Sequence, residues 1–174
     1  MSGPVAVHRL EDPFAFAQAA GTRSGQAAIA AMPRLQDRLS DKAGHVSFVV
    51  RGGQDQRQRL LFELEIAGNL SLRCDRCLEP LAFPLQLHAT VLLAQPGAVL
   101  PVDDDPESPE WIEAGPELDL LELIEDEIVL GLPLSVRHDQ GKCGNSAAIS
   151  QAGGREKPFS GLAALLDTQQ TNTD

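Results

Sequence analysis

The sequence predicts an α+β fold: an antiparallel sheet built around one long hairpin, covered by an acidic amphipathic helix and preceded by N-terminal helices. Three observations carry this expectation. The hydrophobic period changes from about four to two at His45; two period-two runs flank a short cysteine-bearing stretch; and a run after residue 117 returns to helical spacing. The expected body is one α+β domain over residues 1–143, followed by a flexible linker and apolar arm over 144–174.

In "EDPFAFAQAA", Asp12 can cap a helix and Pro13 suits its first position, which predicts a short helix ending before "GTRSG". After a short apolar piece near Ile29, "MPRLQDRLSD" sets Leu35 and Leu39 four apart and predicts a second helix, so that helices occupy 12–41. The sheet is expected over 45–94. Val46, Phe48 and Val50 alternate with polar neighbours, and the two glycines of "RGGQDQR" signal a turn. Phe62, Leu64, Ile66, Leu70 and Leu72 share one parity, as do Leu81, Phe83, Leu85, Leu87, Val91 and Leu93. These read as two strands joined by the loop that holds Cys74 and Cys77. Residues 95–116 are rich in Pro, Gly and acid and read as an exposed loop, in which "EWIE" can add a brief edge strand. Over 117–130, Leu120, Leu121, Ile124 and Ile128 form an apolar helix face, stopped by Gly131 and Pro133. Glu122, Glu125, Asp126 and Glu127 form its acidic face. Residues 144–157 have linker composition, and Phe159, Leu162, Leu165 and Leu166 make a terminal apolar patch.

The formal charge of -11 is polarised: residues 91–130 hold twelve acids and no Lys or Arg, while residues 1–60 hold eight Arg and Lys against five acids. Bulk attraction to nucleic-acid phosphate is disfavoured, and the acidic face suits a basic protein partner. No apolar run reaches the roughly 20 residues of a membrane span, and the N-terminus lacks the pattern of a signal peptide, so a cytoplasmic protein is expected.

Three cysteines in a reducing compartment read as thiols or metal ligands rather than a disulfide framework. Cys74 and Cys77 have two residues between them, a spacing at which a tight turn aims both sulfurs at one ion. His138 and Cys143 in "RHDQGKC" complete a Cys3His set, with Gly141 permitting a turn between them. Four protein ligands make a closed, structural zinc site that would cross-link the loop to the segment after the helix. Redox use is the weaker alternative, since the motif lies between strands and not at a helix start, and structurally incidental thiols are the third.

Other chemistry is not visible. There is no G-x-G-x-x-G, P-loop, H-E-x-x-H or G-x-S-x-G; His8, His45 and His88 are isolated, and Asp103 to Asp105 lack the calcium-loop pattern. The chain reads as a non-enzyme with no small-molecule substrate. Arg51, Arg57 and Arg59, with Arg73 and Arg76 near the thiols, are the residues through which an RNA-binding module could contact RNA directly. No aromatics interleave with the first three for base stacking.

"CDRCLEPL", joined to "LDLLELIEDEIVLGLPLSVRHDQGKC" and "KPFSGLAAL", resembles the bacterial YceD family, named for large ribosomal RNA subunit accumulation. The resemblance covers roughly residues 45–166 and includes both thiol positions, His138 and Cys143. It implies a role in the synthesis, processing or stability of 23S ribosomal RNA, and so in large-subunit assembly, without implying a reaction. Combined with the charge, it leads to the expectation of an assembly accessory. The acidic residues Glu122, Glu125, Asp126 and Glu127 would engage a basic ribosomal protein or assembly factor, and direct contact with 23S RNA through the five arginines is the alternative.

Overall fold

The computed structural model describes residues 8–100, 108–139 and 141–144. The expected linker and apolar arm, and the aspartates 103–105, lie outside these residues. Strand β1 (Arg9–Glu11) is followed by helix α1 (Pro13–Gln18), β2 (Thr22–Ala28), two single 3-10 turns (Ile29–Ala31 and Pro33–Leu35) and β3 (Leu39–Asp41). Then come β4 (His45–Gln54), β5 (Leu60–Arg73), β6 (Pro80–Ala94), β7 (Glu110–Glu113), β8 (Glu117–Asp119) and α2 (Leu120–Gly131).

The fold is mixed α+β and dominated by strands. The main sheet has the order β2-β4-β5-β6-β7, with β3 on β5 beyond the end of β4. Every pairing in it is antiparallel except β6 with β7, which is parallel. β5 and β6 pair from Leu61↔Leu92 to Arg73↔Pro80 without a register shift. A separate two-stranded sheet pairs β1 with β8, Arg9 opposite Asp119.

Alternation decides which face is covered. Val46, Phe48 and Val50 of β4 and Phe62, Leu64, Ile66, Leu70 and Leu72 of β5 are all buried, and they form one core with Leu123, Ile124 and Ile128 of α2. Removing each such side chain from water contributes about 1.5–3 kcal/mol. The neighbours of opposite parity carry the polar face, where Arg51 meets Glu65 at 2.6 Å.

Helix α1 starts as its sequence suggests: the Asp12 carboxylate accepts from the Ala15 N–H at 2.9 Å and Pro13 follows it. The second expected helix is not formed. Pro33–Leu35 is one 3-10 turn, and Leu39 begins a strand opposite Leu72. Leu35 and Leu39 are both buried, so the apolar spacing is satisfied with a different backbone, and pairing with β5 supplies bonds that a helix would have supplied locally. The "RGG" of the expected turn is strand: β4 runs to Gln54, and the turn closes at Asp55, whose N–H donates to the Arg59 carbonyl at 3.0 Å. Glycine is required at position 52 because a β-carbon there would stand 2.6 Å from Ala17 Cα and 2.8 Å from the Phe16 carbonyl oxygen. α2 begins three residues later than the spacing suggests, since Glu117–Asp119 is taken by β8.

The chain divides into two units, residues 1–137 and 138–174. All the elements above belong to the first. In the second, the Lys142 N–H donates to the Asp139 carbonyl at 3.0 Å, and Gly141 has a φ of +82° that favours glycine.

Candidate metal centre

The loop between β5 and β6 is six residues long and closes on itself. The Cys74 N–H donates to the Glu79 carbonyl at 3.0 Å, and the Leu78 N–H donates back to the Cys74 carbonyl at 2.8 Å. This brings Cys74 and Cys77 onto one short arc, Cys74 fully buried and Cys77 partly so. Leu78 holds the left-handed conformation at φ +65° although its side chain is largely exposed, so the turn imposes a backbone angle unfavourable for leucine.

The chain after α2 returns to this loop. Leu132 and Val136 are buried, and the Arg38 guanidinium donates to the Pro133 carbonyl at 3.0 Å. Asp75 and Val136 then bond twice, N–H of Asp75 to carbonyl at 2.9 Å and N–H of Val136 to carboxylate at 2.8 Å. The Val136 N–H, and after it the Ser135 side chain, hold the Asp75 carboxyl below the ordinary aspartate range. His138 lies two residues beyond. In its own segment, His138 Nδ1 lies 3.9 Å from Cys143 Sγ.

Cys74, Cys77, His138 and Cys143 form a cluster that could hold a metal ion: one ligand atom from each, all within 4.8 Å of one another. The donors, three thiols and an imidazole, are the soft and borderline ligands that suit zinc. A tetrahedron with metal–sulfur bonds of about 2.3 Å has edges of about 3.8 Å.

The acidic residues of α2 do not form one free face. Glu125 is 3% exposed, and its carboxylate accepts from the Arg34 N–H at 2.5 Å and the Leu35 N–H at 3.2 Å, capping the turn at Pro33–Leu35. Asp126 pairs with the Arg34 guanidinium. The expectation of Glu125 as a surface group is thus corrected by a signal the sequence held: residues 121, 125, 128 and 132 are spaced three and four apart, which sets Glu125 inside the apolar stripe. Glu122 remains exposed. Burial, then the like charges of Glu110 and Asp126, push the Glu127 carboxyl above its ordinary range.

The five arginines do not gather either. Arg57 and Arg59 lie at the turn before β5 and Arg73 and Arg76 at its far end, about 40 Å away along a strand of 14 residues. Arg51 is paired with Glu65, and Arg59 with Asp55 at 2.6 Å. The Arg59 guanidinium also lies 5.6 Å from the Trp111 ring centre, a cation–π contact that the linear sequence conceals. Among the described residues no helix is long and apolar enough to cross a membrane.

A family model described as large ribosomal RNA subunit accumulation protein YceD matches residues 62–166. That span includes all three cysteines, His138, α2 and β6. No solved structure matches the chain.

Proposed function

This chain belongs to the YceD family, and from that premise we propose that it is a non-enzymatic accessory in 23S ribosomal RNA metabolism and large-subunit assembly, acting in the cytoplasm through a basic protein partner. The family description supplies the process, the accumulation of large-subunit RNA. The observation that favours a protein partner over direct RNA binding is the dispersal of the arginines. Arg57 and Arg59 stand about 40 Å from Arg73 and Arg76, and Arg51 and Arg59 are in ion pairs with acids of their own chain. A phosphate-gripping surface needs several unneutralised cations on one track. The partner-facing carboxylates of this reading are Glu122 and Glu127, since Glu125 and Asp126 are engaged by Arg34.

Cys74, Cys77, His138 and Cys143 are proposed as the ligands of one structural zinc ion, whose chemistry here is cross-linking alone. The chain's own contribution is orientation: the closed loop presents two thiols, and the Asp75–Val136 pair delivers the segment that leads to His138.

Filter binding to transcribed 23S RNA at two salt concentrations, alongside capture of purified basic large-subunit proteins, tests the accessory reading. Protein capture that survives nuclease and is lost in Glu122→Gln/Glu127→Gln is expected. Retention of 23S RNA by the chain alone, abolished by reversing Arg57, Arg73 and Arg76, would replace it with the direct RNA-binding reading.

A further inference from the structure

The outer edge of β6 points to how a partner is held, an inference that deepens the accessory reading and rests on it for the partner's class. β6 has 15 residues, yet β7 pairs only with Val91 to Ala94. Among the described residues, no strand pairs with the outer side of residues 82–90.

The prolines reveal which groups face outward. Pro84 stands opposite Asn69. Having no N–H, it occupies a non-hydrogen-bonded pair, so its carbonyl points away from β5. Residues of the same parity point the same way. Ala94 is one of them, and its carbonyl accepts from the Ala114 N–H at 2.9 Å, on the β7 side. Gln86, His88 and Thr90 therefore direct both N–H and C=O outward, along the line that β7 continues.

Beside this edge, at the C-terminal end of α2, lies a notch of about 270 Å³ lined by Leu87, Ala89, Glu110, Glu127, Leu130 and Gly131. Leu130 is 65% exposed. No Lys or Arg among the described residues pairs with Glu110 or Glu127. Backbone donors and acceptors, an apolar wall and two carboxylates thus stand at one place. Added strands are recognised by this combination, with main-chain bonds giving affinity and alternate side chains giving choice.

We infer that β6 accepts an extended basic segment of a partner protein, which pairs with Gln86, His88 and Thr90. Its side chains, two residues apart, place an apolar group against Leu87 and Leu130 and a lysine or arginine at Glu110 and Glu127. The charge of the notch selects this occupant over a second copy of the acidic chain.

The test uses the full chain and three capped peptides: threonine alternating with leucine and lysine, the same with glutamate for lysine, and the lysine peptide N-methylated at alternate residues. Amide exchange and chemical shifts should show the lysine peptide protecting Gln86, His88 and Thr90. The glutamate and N-methylated peptides should bind at least about tenfold more weakly, the effect of losing about 1.4 kcal/mol. Glu127→Gln should weaken binding about two- to fivefold, as for an exposed ion pair. His88→Pro removes an outward N–H as Pro84 already does, so it should keep the unfolding midpoint and lose the peptide. Should it fail to fold, the N-methylated peptide removes the same bonds from the other side. Protection elsewhere, equal binding of the N-methylated peptide, or a dimer in sedimentation that masks the edge would overturn the inference. Failure to capture any large-subunit protein would instead count against the accessory reading and leave the peptide result standing.

Discussion

Asp75 and Val136 are bonded to each other through both backbone and side chain, at 2.9 Å from the Asp75 N–H and 2.8 Å to its carboxylate. Val136 is buried and Asp75 sits in the loop between the two thiols, so one pair of residues ties the segment after α2 to that loop. Asp75→Ala should accelerate exchange of the Val136 amide while leaving that of Cys74, which is bonded to Glu79, protected. Asp75→Asn retains an acceptor oxygen and should give an intermediate rate. Amide exchange followed by NMR distinguishes the three proteins; equal Val136 rates would show that the pair does not hold the segment.

Gly52 and Gly53 are neighbours in β4 with different demands on them. At Gly52 a β-carbon would collide with the backbone of α1, whereas at Gly53 the nearest atom is Leu61 Cδ1 at 3.5 Å, an ordinary contact. Gly52→Ala should destabilise by about 1–3 kcal/mol, the usual cost of overpacking. Gly53→Ala should lie within about 0.5 kcal/mol of wild type. Urea unfolding of both variants measures the contrast.

These glycines show where the sequence is readable and where it is not. The parity of Phe62 to Leu72 is legible because burial on one face of a strand imposes a period of two, and those residues are buried. Thr22–Ala28 has only Ala27 buried and contains Gly25, so it carries no such period, and it is a strand only because β4 lies beside it. Leu35 and Leu39 satisfy helical spacing, but the partner that decides their backbone is Leu72, thirty-three residues beyond Leu39. The parallel docking of β7 has the same cause. In the candidate site, the cysteine and histidine types and their spacing are visible in the chain, whereas the Asp75–Val136 pair joins positions 61 apart that no local pattern links.

Glu125 is a buried acid with a structural task. It satisfies the N–H groups of Arg34 and Leu35 at the start of a turn, and its second oxygen meets the Arg34 guanidinium at 3.3 Å. Glu125→Ala leaves a buried donor at Leu35 without its acceptor and should cost about 1–3 kcal/mol. Glu122→Ala, one turn away and exposed, should change stability by less than about 0.5 kcal/mol. Thermal unfolding of the two variants checks this, and equal losses would mean that the carboxylate of Glu125 is replaced by water.

Asp55 gives stability a pH dependence. Desolvation opposes its ionisation, but the N–H and guanidinium of Arg59 and the N–H of Arg57 together hold its carboxyl below the ordinary aspartate range. A carboxyl whose folded pKa is depressed releases its proton more readily in the native state, so the unfolded chain binds more protons in the interval between the two values. The contribution is fully present above the unfolded value of about 3.9 and is lost as pH falls through the folded one. Asp55→Asn should therefore flatten the decline in stability below about pH 4 while lowering stability at neutral pH. Denaturant midpoints from pH 2 to 7 for both proteins provide the comparison.

Zinc, if held by the four clustered residues, has consequences that separate a structural ion from reactive thiols. A closed Cys3His set shields its thiolates, so all three cysteines should react slowly with a thiol reagent in protein purified without chelator, and quickly after chelation. Native mass spectrometry should show one zinc per chain. Because binding to the folded state alone adds stability, the midpoint should rise with free zinc and fall on chelation, the unfolding free energy gaining about 2.7 kcal/mol at a free zinc concentration one hundred times Kd. Cys77→Ser should abolish this dependence while the β4–β5 core persists, since none of its residues comes from the loop. Buried Cys74 and partly exposed Cys77 would behave differently in a metal-free site, with Cys77 modified first. That order of reaction, together with a midpoint indifferent to zinc, would show that the thiols are not ligands.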